Sequence, residues 1–91
     1  MRLIATPRFL REAKRLYPAD KTALDGAVRA IAEDPEIGEM KRGDLAGVRV
    51  HKYRHDAQQF LLAYRVVPEA DAIKLLSFGA HENFYRDLKR E

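Results

Sequence analysis

The chain has 91 residues, 46% of them hydrophobic, and its 17 lysines and arginines against 14 acidic residues leave a formal charge of +3. A chain this short forms a single domain that buries only about 60% of the surface its unfolded form exposes, so the core is modest and a stabilising partner is expected. The absence of cysteine excludes disulfides, thiolate catalysis and cysteine-based zinc sites, and no cofactor or metal is expected.

Because acidic residues nearly balance the basic ones, bulk charge is weak grounds for a nucleic-acid partner, and the distribution of the cations has to decide. The opening MRLIATPRFL lacks the apolar core of a signal peptide, and no stretch approaches the roughly 18 apolar residues of a membrane span. A soluble cytoplasmic protein that does not engage membranes is expected.

In chain order, RLIAT is a short apolar run, followed by Thr6 as a helix cap and Pro7 in the first turn. In PRFLREAKRLY the residues Phe9, Leu10, Ala13, Leu16 and Tyr17 form an apolar stripe at helical period, with Arg8, Arg11, Lys14 and Arg15 off it. These four cations are either ordinary solvated charges or an electropositive helix surface. Pro18 breaks the pattern. A second helix follows in ADKTALDGAVRAIAED, where Leu24, Ala27, Val28 and Ile31 repeat at helical spacing until Pro35.

PEIGEMKRGDLAG, with its glycines and mixed charge, reads as a loop. Three strand-like runs come next, VRVHKYR, QFLLAYRVV and AIKLLSF, joined by short polar turns. HENFYRDLKRE is helix-compatible and ends in basic residues. The expectation is one α+β domain over residues 1–91, of order βααβββ. It has a mostly antiparallel four-stranded sheet, a helical hairpin on one face and a short C-terminal helix.

The segment VRVHKYRH is unusual for a strand, because Arg49, His51, Lys52, Arg54 and His55 crowd it. A three-residue hairpin loop at 56–58 would place Val50 opposite Tyr64, Lys52 opposite Leu62, Arg49 opposite Arg65 and His51 opposite Ala63. One face is then Val48, Val50, Phe60, Leu62, Tyr64 and Val66, a core surface. The other carries Arg49, His51, Tyr53, Leu61, Ala63 and Arg65. Two arginines opposed across a sheet repel one another, which argues for a bound anion between them. A two-residue or four-residue loop would dissolve that pairing, and charged strand positions also serve simply to keep a solvated edge from aggregating.

His51 and His55 lie about 13 Å apart along a strand, too far to share one metal. His81 follows Gly79-Ala80 at the end of the last strand, with Tyr85 four residues later. It is either a surface or capping residue, or an acid/base group held near a phenol.

The order βααβββ in about 90 residues resembles the RelE/ParE superfamily of bacterial toxins, the toxic halves of type II toxin–antitoxin pairs. The likeness covers the whole chain. IAEDPEIGEMKRGDLAGVRVHKYR is similar to the family's run from the second helix through an Asp-Pro and a G…L.G…R loop into the next strand. FLLAYRV is similar to its YRLxYxV strand, and LLSFGAHENFY to its last strand, glycine, basic or histidine position and closing tyrosine.

Two activities live in this superfamily. RelE-type members cut mRNA, usually on the translating ribosome, and ParE-type members bind DNA gyrase. Cutting RNA without a metal needs the ribose 2′-OH as nucleophile, a base, an acid for the leaving 5′ oxygen and cations around the phosphate.

The resemblance implies His81 and Tyr85 as catalytic groups, His51 as a second acid/base residue, and Arg49, Lys52, Arg54 and Arg65 as phosphate binders. Leu61 stands where the RelE-type strand carries an arginine, so that contact is missing or comes from Arg65 or Arg54, and Leu61 can instead pack against Phe84 or Leu88. The resemblance also implies a cognate antitoxin as partner, with mRNA on the ribosome as target in the RelE-type reading and gyrase in the ParE-type one.

Overall fold

The structure, a computed structural model, describes residues 1–80 and Phe84. Its elements are β1 (Arg2–Ala5), α1 (Pro7–Ala13), α2 (Pro18–Glu33), β2 (Glu39–Met40), β3 (Arg49–His55), β4 (Gln58–Val67) and β5 (Ala72–Ala80), with 3-10 turns at Gly43–Leu45 and Pro68–Ala70. Among the described residues no helix is long and apolar enough to cross a membrane.

The helices start as their chemistry predicts. Oγ1 of Thr6 accepts from the backbone N–H of Phe9 at 3.2 Å, and Pro7 takes the first helical position. The same hydroxyl donates to Leu76 O at 3.2 Å, tying the start of α1 to β5. Where the sequence predicts helix through Tyr17, α1 ends at Ala13. The N–H groups of Arg15 and Leu16 turn back to the carbonyls of Glu12 and Ala13, three residues behind, and this tighter turn delivers Pro18 to the first position of α2.

The sheet is five-stranded and mixed, in the order β1-β5-β4-β3-β2. It is mostly antiparallel, as expected, but has one strand more than the four predicted. The stretch read wholly as a loop contains β2, whose Glu39 and Met40 pair antiparallel with Val50 and Arg49. β1 runs parallel to β5, with both helices and strands β2 to β4 in the chain between them. The predicted C-terminal helix lies outside the described residues, Phe84 excepted.

Both helices cover one face of the sheet, α1 along β5 and α2 along β3. Phe9, Leu24, Ala27 and Ile31 from the helices and Leu62, Tyr64, Ile73 and Leu75 from the strands make the main core. Phe9 meets Phe78 edge-to-face with ring centroids 5.5 Å apart. At the far end of β3, Tyr53 stacks on Phe60 at 5.6 Å, and Nε2 of His55 sits 2.7 Å from Oδ1 of Asp20 on α2. That pair and Tyr53 line a cavity of about 60 Å³ with Leu16, Phe60 and Phe78. Burial, with the Asp20 charge adding to it, pushes the Tyr53 phenol up to about 12, so it stays protonated. His55→Ala is expected to cost about 1 kcal/mol through loss of this link between α2 and the β3–β4 hairpin, read by thermal unfolding as a fall of roughly 4–8 °C.

Candidate functional site

The hairpin register decides which cations share a face. β3 and β4 are joined by a two-residue turn at Asp56 and Ala57, with His55 opposite Gln58, and Asp56 adopts the left-handed conformation (φ 53°) that a short polar side chain tolerates. The pairs are therefore Arg49–Tyr64, Val50–Ala63, His51–Leu62, Lys52–Leu61 and Tyr53–Phe60. The expected register is wrong by one residue, and because side chains alternate, each β3 residue changes face relative to β4. Arg49 does not oppose Arg65. It shares the helix-covered face with Tyr64, as do His51, Tyr53 and His55.

Arg49 is occupied there. Its Nη1 donates to Gly38 O at 2.8 Å and to Glu36 O at 3.3 Å, clamping the loop after α2. Tyr64, fully buried, completes the clamp: its hydroxyl donates to Pro35 O at 2.7 Å and accepts from Gly38 N at 2.9 Å. Burial pushes this phenol upward, partly offset by the Gly38 hydrogen bond and the Arg49 charge. The geometry thus gives Arg49 a structural task away from the other cations.

The opposite face carries a second, smaller apolar cluster of Val48, Val50, Leu61 and Ala63, with Leu45 and Leu76 packed at its margin. Phe84 seals it and is itself 4% exposed, so Leu61 does pack against Phe84 as one reading of the sequence has it. A β-bulge between Ala63 and Tyr64 lets Leu76 join this cluster.

Exposed cations stand at both ends of the apolar strip. Arg65 on β4 lies directly opposite Lys74 on β5, and Lys52 and Arg54 continue along β3. Arg65 is opposite Val48 in the continued register, so the two cation pairs are separated by about four strand residues, roughly 13 Å. The cross-strand repulsion that the sequence suggests for Arg49 and Arg65 is present, but between Arg65 and Lys74. Lys74 escaped sequence reading although AIKLLSF signals it, since a lone lysine between Ile73 and Leu75 in an alternating run must point off the core.

Local structure fixes these groups. Gly47, at φ 89°, lies under Arg65, whose Nη1 reaches Ala46 O at 3.4 Å; a Cβ on Gly47 would meet that guanidinium. Arg54 reaches Ala57 O of its own hairpin turn at 3.4 Å. At the β2 margin, an open cleft of about 330 Å³ is lined by Ile37, Glu39, Val50, His51 and Lys52. Burial holds the His51 imidazole below its ordinary value, so it is neutral at pH 7. Glu39 is held low by Lys41, whose Nζ donates to it at 3.1 Å, with Lys52 adding a smaller effect.

The site residues predicted from sequence therefore divide into three sets. Lys52, Arg54 and Arg65 share the face opposite the helices, Arg49 and His51 lie on the other, and His81 and Tyr85 lie outside the described residues.

The sequence matches the family model described as "ParE-like toxin of type II bacterial toxin-antitoxin system" over residues 3–89. The chain belongs to this toxin family. No curated protein matches it. Among solved structures the toxin is similar to the toxin of the intact Escherichia coli RelBE toxin–antitoxin complex, with a TM-score of 0.72 and 23% identity over 89% of this chain and 96% of that one. It is similar to a doubly mutated E. coli RelE in the free state, with a TM-score of 0.76 and 22% identity over 99% of this chain and 90% of that one. The RelBE2 complex of Mycobacterium tuberculosis gives a TM-score of 0.70 and 21% identity over 88% and 96% of the two chains. At these identities the likeness speaks for the fold of the toxin.

Proposed function

We propose that this toxin is a metal-independent mRNA endoribonuclease acting on translated message and restrained by a cognate antitoxin. The observation that carries the reading is the set of exposed cations on the sheet face opposite the helices, where Arg65 and Lys74 are directly opposed and Lys52 and Arg54 extend the positive charge beyond the apolar strip. Opposed like charges are unfavourable in a sheet and become favourable around a polyanion. In-line attack of a ribose 2′-OH on the adjacent phosphate places negative charge on the phosphoryl oxygens, which these cations stabilise. A base takes the 2′ proton, an acid protonates the departing 5′ oxygen, and the products are a 2′,3′-cyclic phosphate end and a 5′-OH end.

His51 lies across the sheet from Arg65 and Lys74 but lines the cleft at the β2 margin together with Lys52, and there its neutral imidazole suits the base, with Lys52 the cation beside the reacting phosphate. His81 and Tyr85, which flank the sealed Phe84 in sequence, are assigned to proton transfer by their likeness to the family motif. Base catalysis contributes about 100-fold or more, so His51→Asn is expected to slow cleavage by that factor. The folded-state value of His51 lies below the ordinary 6.5, so the acid limb of the pH–rate profile falls below pH 6.5 and disappears in the variant. A limb that stays in His51→Asn would take the role of base from this residue.

The partner reading draws on the RelBE complexes, in which relatives of this fold are seen with an antitoxin. The exposed Arg11 of α1, Lys14 and Arg15 in the turn after it, and the cationic sheet face offer charge to an acidic antitoxin segment. Purified toxin freed of its partner is expected to cleave mRNA in a translating extract and to lose that activity with His81→Ala. The matched family description names ParE, which supports a second reading as a gyrase-directed toxin. Inhibition of gyrase supercoiling, unchanged by His81→Ala and without RNA cleavage, would establish that reading instead.

A further inference from the structure

β1 forms one edge of the sheet and β2 the other. Arg2 N–H donates to Asp71 O at 2.9 Å and Thr6 N–H to Leu75 O at 3.1 Å across the parallel pairing with β5, so the backbone groups of Arg2, Ile4 and Thr6 face β5. Those of Leu3 and Ala5 point off the sheet, with no strand beside them among the described residues. The side chains here are apolar and in contact with water, Leu3 being 45% exposed and Ile4 40%. Arg2, the one charged residue of β1, reaches toward Ala70 O at 3.4 Å. Edge strands are normally guarded by charge, and the β2 edge carries Glu39, 3.1 Å from Lys41. β1 has no such guard along Leu3, Ile4 and Ala5.

We propose that β1 pairs with β1 of a second copy of this chain, antiparallel about a twofold axis, so that two five-stranded sheets become one. The outward backbone groups let Leu3 exchange two hydrogen bonds with the partner's Ala5, and Ala5 two with the partner's Leu3. Ile4 then lies on the axis against the partner's Ile4, and Arg2 stands opposite the partner's Thr6, so no like charges meet along the seam. Ala5 packs against the helix-side core, which places Leu3 on that face and Ile4 on the other, level with Lys74. The two Lys74 residues are three strand spacings apart, about 14 Å, beyond the screening length of about 8 Å. A polyanion is the wrong occupant, because it would find one cation among apolar side chains. A pair of four-residue strands buries well under the roughly 800 Å² per partner of a standard interface, so the dimer is weak and forms as protein concentration rises. The inference goes beyond the nuclease reading and uses no group assigned to RNA.

The test is sedimentation and amide hydrogen exchange of the purified chain over a range of concentrations. The mass is expected to rise from one chain toward two, with exchange at the Leu3 and Ala5 amides slowing in step. Ile4→Lys sets like charges together on the axis and is expected to weaken the association about tenfold or more. An equal mixture of Ile4→Lys with Ile4→Glu is expected to recover it, which separates a lost contact from a lost fold. Because the chain has no cysteine, an introduced one reports the register. Opposed residues that share no hydrogen bonds lie about 4.5 Å apart at Cα, within reach of a disulfide. Ile4→Cys is therefore expected to oxidise to a covalent dimer faster than Leu3→Cys, whose sulfurs are offset along the seam. A one-chain mass at every concentration, exchange at Leu3 and Ala5 indifferent to concentration, a mixture that fails to associate, or cross-linking at Leu3→Cys as fast as at Ile4→Cys would each overturn the proposal.

Discussion

Lys74→Glu is expected to make the toxin more stable and less active at once. In the wild type Lys74 faces Arg65 across β4 and β5, a like-charge pair that costs stability. The substitution turns it into an opposite-charge pair, a gain of about 0.2–1 kcal/mol. In the nuclease reading it also removes one phosphate contact and neutralises a second, because the new carboxylate occupies Arg65. A hydrogen bond to a charged group contributes about 1.5–3 kcal/mol, so RNA cleavage should fall roughly 100-fold while the melting temperature holds or rises. Lys74→Gln, which relieves repulsion without capturing Arg65, should fall between the two. Thermal unfolding and cleavage in a translating extract read both quantities on the same preparation. If Lys74 were only a solvated surface residue, cleavage would not respond.

The second large effect is on folding. Tyr64→Phe is expected to lower stability by about 2 kcal/mol, a fall of roughly 8–16 °C in melting temperature for a domain of this size. The phenol is fully buried and serves two backbone groups of the loop after α2, giving its proton to Pro35 O and accepting from Gly38 N. Phenylalanine fills nearly the same volume, so the loss comes from leaving both groups without that partner. Gly38→Ala probes the same clamp from the other side, since a Cβ there would lie 2.6 Å from the Tyr64 hydroxyl. Either variant should leave the cationic face in place, and activity measured well below the melting temperature should persist.

Local chemistry was readable where a few neighbouring residues decide the outcome. Thr6 and Pro7 start α1, Leu24, Ala27 and Ile31 mark the buried stripe of α2, and three long strands lie where apolar and β-branched residues gather. What the sequence left open depends on contacts distant in the chain. Two residues are too few to show a period, so β2 is defined only by its partner β3. The parallel seat of β1 beside β5 joins segments about seventy residues apart.

The β3–β4 register turned on one position. Asp56-Ala57 lacks the Asn-Gly or Asp-Gly signal of a two-residue hairpin, and a slip of one residue reassigned Arg49 from the proposed site to a structural clamp. The idea of a repelling pair awaiting an anion nevertheless has a counterpart in Arg65 and Lys74. The reading of VRVHKYRH is likewise divided by the fold. Lys52 and Arg54 stand exposed on the face opposite the helices, while His51, Tyr53 and His55 turn toward the helices.

Brief induction of the wild type and of Lys74→Glu in growing cells, with mRNA 5′ ends mapped within minutes, tests the central claim most directly. The proposed nuclease predicts new 5′ ends inside reading frames with the wild type and a strong loss of them with Lys74→Glu at equal protein level. Growth arrest without new ends, accompanied by a change in DNA supercoiling, would contradict it and make the cationic face a protein-binding surface.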